Sequence, residues 1–334
     1  IHFERVALTM KSRSWAGAVG VLLLWSSLPV MGGEVPKGGT PAGSEELLRQ
    51  GKQLLKERKF KAAAEAFGKA NRAADGQCGE CLAGLGRAQL GVGNLDEAIA
   101  SMRQAAGLLS EPRGLSQTYD ALGTMLTRRG KKGDLEEAEE VFGKALETGG
   151  ANRSVVLSNR AEVRRRLVHY AEAVEAARQS LQEAPDGEAA GQARIALCLS
   201  RLAGKLPGHG EAADSRGDAG LASAEGHLLP PDGVPGVLRI GDVVEGETVK
   251  MPMKLHVQGP HSQAVNGVVV IGAIIDAEGC VTDVTILRKF NSTLDQEAMV
   301  AVKSWVFKPA QLAGKPVKVF YAVTVNFVTS LLPN

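Results

Sequence analysis

Hydrophobic and polar residues alternate with two different periods along the chain, and the strictest alternation lies near the C-terminus. A period of two places successive side chains on opposite faces of a β-strand. From residue 317 to residue 327, one face would carry Val317, Val319, Tyr321, Val323, Val325 and Phe327, and the other Lys318, Phe320, Ala322, Thr324 and Asn326. We therefore predict a long strand here with one apolar face.

A hairpin is predicted upstream of this strand. The β-branched run at residues 268–275 is too short for a membrane span and favours a strand. Gly279 suits the turn that follows, because glycine accepts positive φ. Residues 281–286 alternate again, so the two runs predict paired strands.

One helix is predicted between the hairpin and the last strand. Thr293, with Gln296 three residues later, forms a capping-box pattern at its start, and Pro309 would end it. Its apolar face would consist of Leu294, Ala298, Ala301, Val302 and Trp305. The order strand, strand, helix, strand predicts a small α+β domain at residues 234–334, with a three-stranded antiparallel sheet and one helix across it.

The N-terminal half repeats small and bulky residues with a period of about 34 residues, which is typical of tetratricopeptide (TPR) repeats. The residues expected to pack the first three repeats are Gly51, Ala63, Phe67 and Ala70, then Gly86, Ala98, Met102 and Ala105, then Gly123, Ala138, Phe142 and Ala145. A fourth, weaker copy has Ala161, Ala173, Ala177 and Ser180. Residues 187–202 would form a capping helix. We predict a multidomain chain with an all-α TPR array at residues 44–203.

Three further segments lie outside these domains. Residues 1–33 resemble a signal peptide that starts at Met10, with a retained membrane anchor as the alternative, and residues 34–43 form a short linker. Residues 204–233 lack apolar periodicity, which predicts a flexible linker that lets the last domain move around the helices.

Little in the sequence indicates catalysis. Cys78 and Cys81 are expected to form a structural disulfide, with dithiol chemistry as the alternative. A bond between Cys198 and Cys280 is not expected, because it would cross the linker. The six histidines are scattered, and no metal site or cofactor is predicted. No set of catalytic residues is recognisable, so we do not predict an enzyme. The formal net charge is +2 and there is no basic tract, so we predict no nucleic-acid partner.

The C-terminal residues resemble the TonB C-terminal domain. The matching positions are Gly267, Asp276, Gly279, Leu294, Asp295, Ala298, Trp305, Phe307, Pro309 and Gly314, preceded by a lead-in around Arg239. The resemblance implies a periplasmic domain that engages short segments of outer-membrane transporters. It also implies protein partners in the cell envelope, with a homodimer through this domain as another expectation.

The edge of the last strand is the predicted binding site. Extended peptides add to such an edge through main-chain hydrogen bonds. The residues expected to contribute are Lys318, Phe320, Tyr321, Ala322, Thr324 and Asn326. The alternative is a passive periplasmic scaffold in which this domain only docks or dimerises. Residues 15–31 hold no ionisable side chain, so we do not expect energy transduction through the chain.

Overall fold

The computed structural model describes residues 42–205, 237–240, 243–244, 247–257 and 267–327. The predicted signal peptide or anchor, nearly all of the first linker and most of the linker at 204–233 lie outside these residues.

Nine helices precede the first strand in the described part of the chain. Their bounds are α1 Ala42–Lys56, α2 Phe60–Ala73, α3 Gly79–Val92, α4 Leu95–Leu108, α5 Pro112–Arg129, α6 Asp134–Thr148, α7 Arg153–Arg166, α8 Tyr170–Glu183 and α9 Ala190–Gly204. Consecutive helices pack in pairs from α1/α2 to α7/α8, and α9 covers α7 and α8. This arrangement is a TPR-like array. None of the described helices is long and apolar enough to cross a bilayer.

Glycine and phenylalanine determine how closely the helices of a repeat approach. The ring of Phe67 fills the space beside Gly51 of its own repeat and Gly84 of the next, where an added Cβ would lie 2.8 and 2.4 Å from ring atoms. Phe142 packs in the same way against Gly123, at 2.7 Å. Both phenylalanines are fully buried. A larger residue at these glycines would therefore push the paired helices apart.

The C-terminal region is built around a sheet with the order β1-β10-β5-β6. The strands are β1 Leu238–Arg239, β2 Val243–Val244, β3 Glu247–Thr248, β4 Met253–His256, β5 Gly267–Ile275, β6 Val281–Arg288, β7 Val306–Lys308, β8 Ala310–Leu312, β9 Lys315–Val317 and β10 Val319–Phe327. The antiparallel set β10-β5-β6 agrees with the sequence. The prediction of three strands was incomplete, because β1 adds a short parallel strand and three further two-stranded ladders form.

Helix α10, Ser292–Lys303, covers one face of this sheet, and its ends differ from the prediction. Its N-cap is Asn291, whose side-chain oxygen accepts from the backbone of Thr293 at 2.9 Å, so the prediction of a capping box that starts at Thr293 was wrong. The helix ends well before Pro309, which lies between β7 and β8. Trp305 is buried just beyond the helix.

The helical array and the sheet domain are in contact, contrary to the expectation of a freely moving domain. Helix α9 packs against β7 and β4. Cys198 of α9 is disulfide-bonded to Cys280, which follows the β5–β6 turn. The expectation that this bond would not form was wrong. Cys198 and Cys280 are far apart along the chain but close together in space. The described residues between 42 and 327 belong to one compact unit.

Candidate functional site

Strand β10 has two chemically different faces. It pairs with β5 without a break over nine positions, from Val319 opposite Ile275 to Phe327 opposite Gly267. Its odd-numbered residues from Val319 to Phe327 pack in the core formed with α10, whereas Ala322, Thr324 and Asn326 are exposed. The strand is therefore held by its core face and by β5, and its second edge points away from β5.

Among the described residues, a strand pairs with that second edge only at its beginning. Strand β1 runs parallel to β10 and pairs with Val319 and Phe320, and the backbone N–H of Leu238 donates to the carbonyl of Lys318 at 3.0 Å. Backbone groups in a strand alternate in direction, so the N–H and C=O groups of Ala322, Thr324 and Asn326 point to this same edge. No strand pairs with them there among the residues that the structure describes. The open part of the edge spans about five residues, or roughly 16 Å.

The six predicted edge residues divide into three groups. Lys318 and Phe320 lie beside β1, and the Phe320 ring covers Gly272, where a Cβ would meet it at 2.5 Å. Tyr321 is on the core face, with its ring edge-on to Phe307 at 6.0 Å between centroids. Ala322, Thr324 and Asn326 remain exposed along the open edge. Of the six, these three combine an exposed side chain with an edge that no described strand covers.

The other outer strand of the sheet, β6, is a poorer template for an added strand. Its pairing with β5 shifts register twice. It also carries Asp283 and ends at Arg288. Bulges and charges are features that discourage further pairing at a sheet edge. The straight, uncharged second half of β10 is the better acceptor.

The β5–β6 turn is shaped by Asp276 and Gly279. The Asp276 carboxylate accepts from the backbone N–H of Glu278 at 3.0 Å and of Cys280 at 2.9 Å. Gly279 has φ +94°, and its carbonyl accepts from the Phe307 N–H at 2.9 Å. These contacts join the hairpin to β7, so Asp276, Gly279 and Phe307 support the sheet rather than form a reactive group.

The remaining residues of the TonB resemblance are also structural. Asp295 is buried, and its carboxylate accepts from the Phe290 N–H at 3.0 Å, which fixes the loop before α10. The Lys254 ammonium lies 4.6 Å from the centre of the Trp305 ring. The others lie in the core or at turns: Leu294 and Ala298 in α10, Gly267 beneath Phe290, Pro309 between β7 and β8, and Gly314 in the β8–β9 turn.

A second polar surface lies on the first helices of the repeats. Asn159 of α7 donates through its side-chain amide to Asp120 of α5 at 3.2 Å and to Thr124 at 3.5 Å. Burial raises the pKa of Asp120 above its ordinary value, and the Asn159 hydrogen bond partly offsets this. Arg87 occupies the equivalent position to Thr124 one repeat earlier. It is exposed, yet the protein atoms around it lower its pKa by desolvation.

Sequence reasoning missed two features near these surfaces. Strand β1 was not predicted, because two residues are too few for a periodic signal. The contacts between α9 and the hairpin turn were also missed, since they join residues about 80 positions apart. Cys78 and Cys81 form a disulfide at the start of α3. In the described residues, no group of three or more His, Cys, Asp or Glu side chains is arranged to hold a metal ion.

Comparison with known proteins identifies the C-terminal domain. Residues 261–329 match the family model described as Gram-negative bacterial TonB protein C-terminal. Domains of this family are found in the cell envelope. A search of curated proteins gives no match.

Solved structures resemble the helical half. A crystal structure of MamA protein is 18% identical with a TM-score of 0.43, over 49% of this chain and 84% of that chain. YrrB, described as a TPR protein with an unusual peptide-binding site, is 12% identical with a TM-score of 0.42, over 50% and 86%. The first TPR of Spaghetti (RPAP3), bound to an HSP90 peptide, is 18% identical with a TM-score of 0.34, over 37% and 93%.

Proposed function

We propose that the chain is a non-catalytic protein of the cell envelope that captures an extended peptide segment on the outer edge of β10. The TPR array serves as the scaffold that carries this domain. The segment would belong to an outer-membrane transporter, in keeping with the TonB-type domain at residues 261–329. Main-chain hydrogen bonds to Ala322, Thr324 and Asn326 would provide most of the affinity.

The observation that carries this proposal is the half-covered edge of β10. Strand β1 shows that the edge accepts a strand, because it already pairs at Val319 and Phe320. The next positions have the same geometry and exposed side chains, and no proline interrupts them. A peptide of about five residues would complete the edge that β1 begins.

The cysteines support an envelope location. All four cysteines of the chain are paired, in the bonds Cys78–Cys81 and Cys198–Cys280. Structural disulfides persist in oxidising compartments such as the periplasm and are rare in the cytosol. This favours export, through either a cleaved signal peptide or a retained anchor.

The test uses synthetic peptides copied from the periplasmic N-terminal segments of TonB-dependent outer-membrane transporters, with affinity measured by fluorescence anisotropy. Thr324→Pro removes one N–H from the open edge, and the ring would also clash with a neighbouring strand. We expect this variant to bind at least about tenfold more weakly, the equivalent of ~1.4 kcal/mol.

The matched control is Thr324→Ala, which removes the side chain but keeps the backbone donor. It should bind within about threefold of the unmodified chain, because β-augmentation relies on the main chain. Equal binding by the proline and alanine variants, with the fold of both verified by circular dichroism, would count against capture at this edge.

A second candidate function is peptide binding by the TPR array itself, with the C-terminal domain as a docking module. The polar side chains of Arg87, Asp120 and Asn159 favour it, because the exposed Arg87 guanidinium can bind a carboxylate of a partner. Arg87→Gln would weaken binding of an acidic partner if this surface were the site. The same substitution would leave transporter-segment binding at β10 unchanged.

A further inference from the structure

The sheet domain is attached to the capping helix through a small mixed interface. The Cys198–Cys280 disulfide lies at its centre, in an apolar cluster with Leu197 of α9 and Val306 of β7. Both cysteines are buried. The bond joins positions 82 residues apart and bypasses the whole segment between α9 and β1. It is therefore the only covalent cross-link between the two domains.

Charged groups surround this disulfide in a complementary arrangement. Arg201 of α9 donates to Asp276 at 2.6 Å and to Glu278 at 2.9 Å, and its side chain is only 7% exposed. Arg178 of α8 donates to the same Glu278 at 2.7 and 3.2 Å. One oxygen of Asp276 shapes the hairpin turn and the other binds Arg201. The acids of the β5–β6 turn are therefore complementary in charge to the arginines of α8 and α9.

A cleft runs beside the disulfide. It has a volume of about 560 Å³ and is lined by both cysteines together with Arg201, Lys205 and Lys303. A small thiol can approach the sulfur atoms from this side, and Lys205 and Lys303 in the cleft lining would favour the thiolates that reduction releases. The other disulfide, Cys78–Cys81, is packed among apolar side chains of the array.

We propose that Cys198–Cys280 is a redox-controlled lock that holds the sheet domain against the TPR array. Oxidised, it fixes the two domains as one body. In the reduced form, the described contacts that remain include the ion pairs and the apolar cluster. Ion pairs of this kind contribute little net free energy, because desolvation offsets their attraction. Domains whose interface is mixed rather than wholly apolar are expected to move relative to each other.

The chemistry is thiol–disulfide exchange with a dithiol reductant or oxidoreductase. In reduction, one thiolate of the reductant attacks a sulfur of the bond, and the other cysteine leaves as a thiolate. The second thiol of the reductant then resolves the mixed disulfide and leaves as its own disulfide. Two electrons pass to the two cysteines, which take up two protons. Locking is the reverse reaction with an oxidised dithiol.

The Cys198–Cys280 disulfide also sets the orientation of the open edge relative to the TPR array. It holds the sheet at the β5–β6 turn, close to where Val319 pairs with Ile275. The open residues from Ala322 onward run away from this point towards Phe327, which pairs with Gly267 at the far end of the sheet. The TPR array would therefore display the edge without covering it while the bond is intact. Docking through this disulfide does not depend on peptide capture at β10.

The test titrates the intact chain with dithiothreitol. Differential alkylation and mass spectrometry follow each disulfide, while hydrogen exchange and small-angle X-ray scattering follow docking. We expect Cys198–Cys280 to be reduced before Cys78–Cys81. Its reduction should broaden the scattering-derived distance distribution and speed exchange in α9 and the β5–β6 turn by about tenfold, as local opening does.

Two double variants make the result specific. Cys198→Ser with Cys280→Ser should behave as the released form with or without reductant. Cys78→Ser with Cys81→Ser is the matched control. It should remain docked when Cys198–Cys280 is oxidised and undock when that bond is reduced. The proposal is overturned if scattering and exchange stay unchanged after Cys198 and Cys280 are shown to be reduced, or if Cys78–Cys81 is reduced first.

Discussion

Gly279 and Phe307 are joined by a backbone hydrogen bond, and the two backbones lie so close together that a side chain on Gly279 would not fit. The Phe307 N–H donates to the Gly279 carbonyl at 2.9 Å, and a Cβ on Gly279 would lie 2.0 Å from the Phe307 oxygen. This contact holds the β5–β6 turn against β7. The same turn carries Cys280 and the acids that meet the helical array, so the contact also supports the interface between the domains.

Gly279→Ala should strongly destabilise the C-terminal domain. It combines a left-handed φ of +94° with a backbone clash, and we expect a loss of more than about 3 kcal/mol in the free energy of unfolding. The control is Gly314→Ala, which has φ +77° but open space around the Cβ, and should cost about 1 kcal/mol. Chemical denaturation of the two variants measures the difference, and equal losses would contradict this account.

The sequence predicted those elements whose signal is local and periodic. The repeats could be predicted because each copy packs a small residue against a bulky one at the same spacing, as Gly51 packs against Phe67. The alternation around Val323 located β10 for a similar reason. Features that depend on chain segments far apart were not predictable. Cys198 meets Cys280 only because α9 and the hairpin turn are complementary in three dimensions.

The predicted site residues lie along β10, but the first of them, Lys318 and Phe320, lie beside β1. Nothing local at Phe320 indicates that a two-residue strand from residues 238–239 will cover it. The helix cap was misplaced by two residues, since Asn291 and Thr293 are both suitable caps and only the loop held by Asp295 selects between them.

Asp134 should make the helical array sensitive to acid. It is buried, and hydrogen bonds from Arg129 at 2.6 and 2.8 Å lower its pKa below the ordinary value. A carboxylate with a lowered folded-state pKa stabilises the protein above the unfolded-state pKa of about 4, and this stabilisation is lost as pH falls through the folded-state pKa.

We therefore expect Asp134→Asn to cost about 1–2 kcal/mol at pH 7 and to flatten the loss of stability below about pH 4. Denaturation curves measured from pH 7 to pH 2 check this. Asp96→Asn is the control, because Asp96 contacts the same Arg129 but is 65% exposed. A larger effect for Asp96 than for Asp134 would contradict the assignment.

Export is tested by the N-terminus of the mature protein. The pattern of residues 10–33 predicts either cleavage near Gly33 or a retained segment that starts at Met10. Mass spectrometry of protein from envelope fractions distinguishes the two. A chain that keeps its N-terminal segment and fractionates with the cytosol would contradict an envelope function.

Peptide capture on the outer edge of β10 is tested most directly by amide hydrogen exchange along β10, resolved by NMR, with and without a transporter-segment peptide. The account predicts that bound peptide slows exchange at Ala322, Thr324 and Asn326 by at least about tenfold. Val323 and Val325 should not change, because their amides already face β5. Protection on β6 instead, or equal protection at odd and even positions of β10, would contradict capture at this edge.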